Sequence, residues 1–227
     1  MKKFVKLLII IFVLGIVVFS FFTYQGYQMY QIALEESGIE ERVEKIRSKD
    51  SYVTIDNIPS KFKYAIIAVE DHRYESHGAV DFISIGRAIY RNISTFSLVE
   101  GGSTITQQFA KNTFFTQERK FTRKIAEIFA AVDLEKMYTK DDIIEMYMNT
   151  IYFGDGYYGV GAASRGYFDK EPMDLTLDEI TLLAGIPNAP GVYSLSNNPD
   201  LARQRQRQVI YAMEAYGFLS EGEADSI

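Results

Sequence analysis

The sequence contains no cysteine and no tryptophan, and only 5 of its 227 residues are proline. Without cysteine the chain forms no disulfide, carries no thiolate nucleophile and offers no cysteine-ligated metal site. A surplus of basic residues is also missing, and the net charge of −6 argues against a nucleic-acid-binding protein. What is present is a 47% share of hydrophobic residues, including 16 tyrosines and 16 phenylalanines, which predicts a folded domain with an aromatic-rich core.

One long apolar run, residues 4–22, stands near the N-terminus and contains a single charge, Lys6. At about 1.5 Å per residue the run reaches roughly 28 Å, close to the hydrocarbon thickness of a bilayer. No face of the run is polar, which favours a membrane anchor over a buried core helix. Lys2 and Lys3 precede the run and the next charge is Glu35, so the positive-inside rule places the N-terminus in the cytoplasm and the remainder outside.

No small-residue cleavage motif follows the run, which predicts an uncleaved anchor rather than a removed signal peptide. The sequence therefore divides into a cytoplasmic tip and anchor over residues 1–23, a polar connecting helix over 24–50 and one domain over 51–227. In that domain apolar residues recur at helical spacing, whereas the alternation typical of strands is scarce. The predicted fold class is mainly α, with helices expected over 104–112, 118–137, 140–149, 177–186 and 199–217.

Two adjacent carboxylates, Glu70 and Asp71, follow an apolar helical stretch, and His72 and His77 come shortly after them. A carboxylate at the edge of an apolar surface suits general-base chemistry, because desolvation disfavours its charged form. The alternative is a solvated helix end, which an isolated Glu-Asp pair usually is. The histidines are five residues apart and do not form an H-E-x-x-H pattern, so a zinc site is not expected.

The run GGSTITQQ, residues 101–108, places two glycines directly before a predicted helix. Glycine lets the backbone approach a ligand closely, and Thr104 with Gln107 matches a capping box. A helix N-terminus reached through such a loop is a natural site for a phosphate group, although glycine turns before capped helices are also common. Residues 154–159 spell the dinucleotide pattern G-x-G-x-x-G, but no βαβ unit surrounds them and that interpretation is rejected.

A basic stretch follows, with Arg119, Arg123 and Lys124 ahead of Glu127. On a helix Arg123 and Glu127 are four residues apart and share one face. Most pairs of this kind are surface ion pairs worth about 0.3–0.5 kcal/mol, so this motif on its own indicates no function.

Taken in order, these segments resemble the motifs of the peptidoglycan glycosyltransferases. The matching segments are EDHRYESHG, GGSTITQQFAKN, RKIAE, YMNTIYFG and AASRGYFDK, and the resemblance covers roughly residues 55–215. One departure is Tyr74, which stands where the family usually has phenylalanine. The resemblance implies a lysozyme-like, mainly helical glycosyltransferase domain with a small membrane-proximal lobe, preceded by one transmembrane helix. It also implies a monofunctional enzyme, since the sequence shows no second domain.

The resemblance assigns Asp81 to Glu100 to the small lobe, in a protein that crosses the bacterial cell membrane once and works outside it. The apolar residues of this lobe would suit contact with lipid or would fill a core, and the sequence leaves both open. They are Phe82, Ile83, Ile85, Ile89, Ile93, Phe96, Leu98 and Val99.

The family's reaction joins lipid II, through the 4-hydroxyl of its GlcNAc, to a growing strand carried on undecaprenyl diphosphate. An α-linked leaving group replaced by a β-1,4 bond implies inversion in a single displacement, with Glu70 as the general base. Glu127 is the second catalytic residue, positioning cations or helping to hold a divalent ion. The residues expected to bind substrate are Asp71, Ser103, Thr104, Gln107, Gln108, Lys111, Asn112, Arg119, Arg123 and Lys124.

No metal site made by protein alone is expected and no cofactor is required, although a Mg²⁺ or Mn²⁺ ion bridging the diphosphate near Glu70 or Glu127 is compatible with the motifs. Expected partners are lipid II, the growing strand, the membrane and other cell-wall synthesis or division proteins, but no nucleic acid. Moenomycin, an inhibitor that mimics the family's donor, is an expected ligand. Two alternatives stay open: a lytic hydrolase, which would have little use for the clustered cations, and a non-catalytic membrane scaffold.

Overall fold

The structure is a computed structural model that describes residues 2–97, 101–116 and 121–227. These residues form twelve α-helices: α1 (Lys2–Glu36), α2 (Ile39–Arg47), α3 (Ser60–Glu70), α4 (Phe82–Thr95), α5 (Ile105–Phe114), α6 (Phe121–Met137), α7 (Lys140–Met148), α8 (Val160–Phe168), α9 (Leu177–Gly185), α10 (Pro190–Tyr193), α11 (Pro199–Ala215) and α12 (Glu221–Ala224). Short 3₁₀ turns lie at Ile55–Asn57, Tyr74–Ser76, Pro172–Asp174 and Ile186–Asn188. Within the described residues, β pairing is limited to one antiparallel bridge between Tyr152 and Tyr158, so the mainly α fold class is confirmed.

The core forms around α3, which packs against α9 and α11, while α5 lies between α6 and α7. Phe62 and Ile66 of α3 and Phe109 of α5 are fully buried, and their apolar area supplies the main drive for this packing. The five helices expected from the apolar spacing correspond to α5, α6, α7, α9 and α11, with ends that differ by a few residues. Residues 118–120 of the second expected helix lie outside the described part of the chain.

Helix α1 is by length and composition a candidate membrane span. Its most apolar 18-residue window has a mean hydropathy of 2.9, and none of that window is buried in the protein. Every residue from 3 to 21 is exposed, so this part of the helix is not the core helix of a water-soluble domain. An apolar surface of this size requires a non-aqueous environment.

The C-terminal half of α1 packs side by side with α6. The ring of Phe22 meets that of Phe121 edge to face, with centroids 5.4 Å apart. One turn further along both helices, Gly26 lies so close to Ile125 that an added Cβ would stand 2.6 Å from its side chain. The contacts advance along both helices together, so α1 and α6 run parallel, and α6 begins beside the end of the apolar run.

The segment 24–50 does not form the single polar helix that the sequence predicts. Helix α1 continues through its first half, the chain bends at Ser37 and Gly38, and α2 follows. Both pieces pack on the domain, since Tyr30 is buried and its hydroxyl donates to Asp133 Oδ2 at 2.8 Å. The many charged residues of this segment lie on its outer faces. Because they outnumber the apolar residues that pack on the domain, the sequence of the segment looks polar throughout.

Arg42 ties the bend between α1 and α2 to the rest of the domain. Its guanidinium donates to the carbonyl oxygens of Ala33, Ser37 and Thr113, each at 2.9 Å, and lies 5.1 Å from the ring centroid of Phe114. These carbonyls stand at the C-terminal ends of α1 and α5, where a cation also interacts favourably with the helix dipole. One side chain therefore joins the anchor helix to the helix that carries much of the site.

Helix α4 buries only Ser84 and Ala88. The carboxylate of Asp81 caps its first turn by accepting from the backbone amides of Ile83 and Ser84. Its large apolar side chains are exposed: Phe82, Ile83, Ile89, Tyr90, Ile93 and Phe96. The core alternative therefore does not hold for these residues, Ile85 is half-buried, and Leu98 and Val99 lie outside the described residues.

Candidate active site

Glu70 stands at the last position of α3, where Asp71 leaves the helical conformation. Its Oε2 accepts a hydrogen bond from Gln108 Nε2 at 2.9 Å, while its Oε1 is buried and has no partner among the described residues. Glu70 also forms no ion pair within the described part of the chain. The result is a carboxylate with one oxygen fixed by a hydrogen bond and the other without a partner.

Gln108 is itself held by Tyr147, whose hydroxyl donates to Gln108 Oε1 at 3.1 Å. Burial raises the pKa of Tyr147 well above its usual value, and the negative charges of Glu70 and Asp71 add to the effect. Tyr147 therefore keeps its proton and remains a donor. The amide of Gln108 is oriented by this bond so that its nitrogen points to Glu70.

Asp71 and His77 connect the end of α3 to the start of α5. Asp71 accepts from the backbone amide of Ile105 at 3.0 Å and from His77 Nε2 at 2.7 Å. His77 Nδ1 lies 2.5 Å from the carbonyl oxygen of Gly78, so both ring nitrogens face acceptors and a charged imidazolium satisfies both. Burial alone would lower the pKa of His77, but the bonds to Asp71 and Gly78 outweigh it and raise the pKa.

Thr104 caps α5, as the sequence predicts, but the reciprocal half of the capping box is absent. Its hydroxyl accepts from the Gln107 amide at 3.1 Å and donates to the Ala79 carbonyl at 2.9 Å. The side chain of Gln107 is buried, and neither of its polar atoms has a partner among the described residues. Gly102 permits a close approach to α4, since an added Cβ would stand 3.0 Å from Ile85 Cα.

Glu127 lies inside a cluster of cations on α6. It is 2% exposed, with Oε2 accepting from Lys124 Nζ at 3.0 Å and Oε1 lying 3.1 Å from Arg123 Nε. Arg123 Nε and Glu127 Oε1 form an ion pair whose geometry does not make a hydrogen bond, and neither atom has another hydrogen-bond partner among the described residues. Lys124 Nζ also donates to Ser103 Oγ at 2.7 Å, which joins α6 to the glycine loop.

Lys111 reaches from α5 towards the same cations. Burial lowers its pKa, the charges of Arg123 and Lys124 act in the same direction, and the carboxylates of Glu127 and Glu70 oppose them. Cations that stand this close together repel one another unless an anion lies between them. The arrangement therefore suits a polyanionic group such as a diphosphate.

A cleft made of two adjoining cavities runs past these residues. The smaller, of about 510 Å³, is lined by Glu70, Asp71, His72, Arg87, Ser103, Arg205 and Tyr216 among others. The larger, of about 800 Å³, is lined by residues of α2, α5 and the loops that follow α7 and α9. Four residues line both: Gln108, Lys111, Pro187 and Asn188. Glu70 therefore stands close to the point where the two cavities meet.

His72 forms part of the wall of the smaller cavity. Its ring stacks on Tyr216 with centroids 4.2 Å apart, and Arg87 Nη1 lies 3.0 Å from its Nε2. Burial lowers the pKa of His72, and the positive charge of Arg87 lowers it further. A neutral imidazole that accepts from Arg87 is the arrangement these contacts favour.

Comparison with known proteins identifies the family. The family model described as Transglycosylase matches residues 38–214, most of the chain. This chain belongs to the transglycosylase family. The match begins near the start of α2, so the family's domain includes the bend region as well as the predicted motifs.

Curated relatives of this transglycosylase chain include penicillin-binding protein 1F of Bacillus subtilis (strain 168), which is 48% identical over 172 residues. That match covers 76% of this chain and 24% of the relative, so the chain spans about a quarter of the relative's length. A Cupriavidus necator protein named "Putative transglycosylase" is 42% identical over 179 residues, 79% of this chain and 77% of that protein. The crystal structure of penicillin-binding protein 1A from Haemophilus influenzae aligns over 77% of this chain and 16% of that chain, with 22% identity and a TM-score of 0.44.

In this transglycosylase domain most of the predicted site residues come together. Those that line the cleft are Glu70, Asp71, Ser103, Gln108, Lys111 and Asn112, while Thr104 lines only a small separate cavity next to Glu70. Arg123, Lys124 and Glu127 join them through Ser103 and the charge of Lys111. Gln107 does not line either cavity, and Arg119 lies outside the described residues.

Sequence analysis missed several residues of the cleft. They are Arg42, Lys45, Lys49, His72, Arg87, Arg205 and Tyr216. The spacing of the first three, by three and four residues, is the signal that places them on one side of the chain around α2. No comparable pattern marks the others, because the fold brings them together from distant segments.

Proposed function

We propose that this chain polymerises lipid II into β-1,4-linked glycan strands with inversion and release of undecaprenyl diphosphate. The observation that carries the proposal is the pairing of two unlike groups in one cleft. Glu70 is a carboxylate with an unpartnered oxygen, and Lys111 lines the same cavity. Arg123 and Lys124 adjoin that cavity, because Lys124 donates to Ser103 in its wall and both cations pair with Glu127. A proton acceptor next to a diphosphate site is what an inverting transfer from a diphospholipid requires.

In this reaction the carboxylate of Glu70, which lines the smaller cavity, takes the proton of the acceptor's 4-hydroxyl. The hydroxyl oxygen attacks C1 of the donor sugar, the new C1–O bond forms on the opposite face, and the bond from C1 to the diphosphate oxygen breaks. Gln108 holds the other oxygen of Glu70 in place throughout. The cleft on either side of Glu70 accommodates one substrate in each cavity.

The leaving diphosphate departs with its electron pair and needs neutralisation of charge more than a proton. Arg123 supplies a planar guanidinium suited to phosphate oxygens, while Lys111 and Lys124 supply point charges. Glu127 acts as a positioning residue that holds Arg123 and Lys124 in register. Asp71, whose oxygens accept from His77 and Ile105, also holds the start of α5 in position.

The packing of α1 on α6 supports a lipid-linked substrate. Phe121 meets Phe22 at the end of the apolar run, so α6 begins at the level of the membrane surface. Arg123 and Lys124 lie within the first turn of α6, about 3–5 Å further along at 1.5 Å per residue. The diphosphate of a polyprenyl substrate lies at this same level. The exposed apolar face of α4 would complete the lipid contact. The lysines at the start of α1 favour, by the positive-inside rule, a domain outside the cytoplasm.

The donor groups present fit a resident divalent metal poorly. Both oxygens of Glu127 face cations, and Glu70 offers one free oxygen. The atoms of Asp71, His77 and Asp81 lie within 4.8 Å of one another, but the two His77 nitrogens are already bonded and Asp81 pairs with Arg73 at 2.9 Å. Hard divalent ions prefer several carboxylate oxygens. The proposed mechanism therefore neutralises the diphosphate with side-chain cations.

The test is incubation of detergent-solubilised protein with labelled lipid II, followed by gel separation before and after muramidase treatment. The expected result is a ladder of long chains that muramidase collapses. Shortened products from preformed glycan, with no ladder from lipid II, would instead establish a lytic hydrolase. No reaction of either kind by a folded protein would contradict the proposal and favour a scaffold. Moenomycin is expected to raise the melting temperature, since it mimics the donor.

A further inference from the structure

The larger cavity differs from the smaller one in its charge. Its lining residues include four cations, Arg42, Lys45, Lys49 and Lys111, and no carboxylate among the described residues that line it. The smaller cavity is lined by both signs, including Glu70 and Asp71. Although the chain has a net charge of −6, this cavity of about 800 Å³ is lined by basic side chains and by no acidic one among the described residues.

Helix α2 produces this separation. Its apolar face, which includes Ile39 and Val43, is buried, and Glu40, Glu41 and Glu44 are exposed but do not line the cavity. Arg42 and Lys45 line the cavity from the helix, and Lys49 lines it from just beyond the helix end. The helical period thus sorts acidic and basic side chains onto different faces.

Two of these four cations, Lys45 and Lys49, are not bound by other groups among the described residues. Arg42 is engaged with three backbone carbonyls, and Lys111 interacts with the carboxylates of the diphosphate site. For the ammonium groups of Lys45 and Lys49, the described residues provide neither a hydrogen bond nor an ion pair. They are exposed at the edge of a cavity in which other cations face them, a state that an incoming anion would stabilise.

The same cavity also offers an aromatic surface for a sugar. Tyr152 and Tyr158 are joined by the antiparallel bridge, and their rings lie 4.7 Å apart and are tilted by 31°. Both rings line the cavity, and Tyr158 is mostly exposed. Aromatic faces combined with a few polar groups are typical of sites for amphipathic ligands.

We propose that Lys45 and Lys49 bind the carboxylates of the peptide stems carried by the glycan strand, while Tyr152 and Tyr158 contact its sugars. The inference rests on the proposed function, since it takes the strand as the occupant of the larger cavity. It adds a determinant of substrate preference: stems with free carboxylates are preferred over stems whose carboxylates are amidated. Each contact is partly solvated, so the combined effect is modest.

The test compares lipid II bearing free stem carboxylates with lipid II whose stem carboxylates are amidated. The wild type is expected to show a kcat/KM about three- to tenfold higher for the carboxylate form, as two weak ion pairs would give. The Lys45→Gln/Lys49→Gln protein should lose that preference while its rate with the amidated form stays within about twofold of wild type. Lys136→Gln, which removes an exposed ammonium that lines neither cavity, should keep the preference.

An equal loss with both substrates, or no loss with either, would overturn the inference. So would a loss that follows the anionic lipid content of the vesicles, because the lysines would then bind headgroups. Binding of both labelled substrates to a Glu70→Gln protein, with and without the lysine substitutions, reads the same preference without turnover. If the wild type forms no polymer but this binding preference appears and disappears as expected, the proposed reaction fails and the stem contact stands.

Discussion

The end of α3 and the first half of α6 each present one glutamate to the site, in opposite electrostatic surroundings. Glu70 has no ion pair among the described residues and keeps one oxygen unpartnered, whereas Glu127 is 2% exposed and pairs with both Arg123 and Lys124. A carboxylate without a cation is free to take up a proton, while one held between two cations serves as a fixed counter-charge. The proposed function therefore gives two different roles to the same type of side chain, according to its neighbours.

Among the substitutions that test this difference between Glu70 and Glu127, Glu70→Gln is expected to change the polymerisation rate most. The amide cannot accept the proton of the acceptor hydroxyl, so the rate of lipid II polymerisation should fall by about a thousandfold. Stability should change little, because glutamine keeps an oxygen that accepts from Gln108 and the substitution removes a charge that has no ion pair among the described residues. Polymerisation assays and thermal unfolding measure the two quantities. Glu75→Gln, at an exposed glutamate that pairs with Lys63, should retain activity, and a Glu70→Gln rate within tenfold of wild type would end the general-base assignment.

Glu127→Gln should show the reverse balance. Removing the shared counter-charge leaves Arg123 and Lys124 unpaired, which should lower the free energy of unfolding by about 2–3 kcal/mol, somewhat below the cost for a fully buried pair because Lys124 is partly exposed. Polymerisation should fall by about ten- to a hundredfold as the cations lose their positions. Adding Lys124→Met should restore part of the stability in chemical denaturation, since it removes one unpaired charge. Unchanged stability of the single variant would show that the pairs contribute nothing.

A smaller effect on kcat is expected at Tyr147, which is linked to Glu70 through Gln108. Tyr147→Phe removes the hydroxyl that orients Gln108, and the loss of one hydrogen bond of about 1 kcal/mol should lower kcat about fivefold with little change in KM. Tyr74→Phe is a matched control, because its buried hydroxyl donates to the Lys140 carbonyl at 2.8 Å and lies outside the cleft lining. Both variants should lose similar stability, but kcat should fall only for Tyr147→Phe. Equal kcat values would show that the Gln108 orientation is immaterial.

The smallest effects concern the two histidines near Glu70. NMR titration should place the pKa of His77 above the usual 6.5 and that of His72 below it. Because the folded-state pKa of His77 is raised, its contribution to stability is complete below pH 6.5 and is lost as the pH rises through the higher, folded-state value. The unfolding free energy of wild type relative to His77→Gln should therefore shrink between about pH 6 and 8. A difference that grows with pH would contradict the imidazolium assignment.

Local signals gave the sequence analysis its successes. The apolar period located the main helices, and Thr104 caps α5 as the capping signature predicts. Glu70, Ser103 and Lys111, which come from two of the motifs, line one cavity. These features depend on a few neighbouring residues, and such patterns are read directly from the chain.

Features that depend on distant packing were not predictable. Gln107 looks like the partner in a capping box, but burial in the core takes its side chain away from the helix end. The hydrogen bonds of Asp71 with His77 and with the Ile105 amide, 34 residues away, were also not predicted from the sequence. Helix α1 packs closely on α6 because Gly26 has no side chain and Ile125 can approach it. The residues around Gly26 give no indication of this contact, which lies about one hundred residues away in the sequence.

Under the proposed function, the parallel pairing of α1 and α6 has a consequence for how enzyme and substrate would meet. With α1 spanning the bilayer as one continuous helix packed directly on α6, the cation cluster would be held at a constant height above the membrane. A polyprenyl substrate would carry its diphosphate at that height wherever it diffuses. The encounter would then be a search across a surface instead of a search through a volume, and lateral diffusion alone would bring each new precursor to the mouth of the cleft.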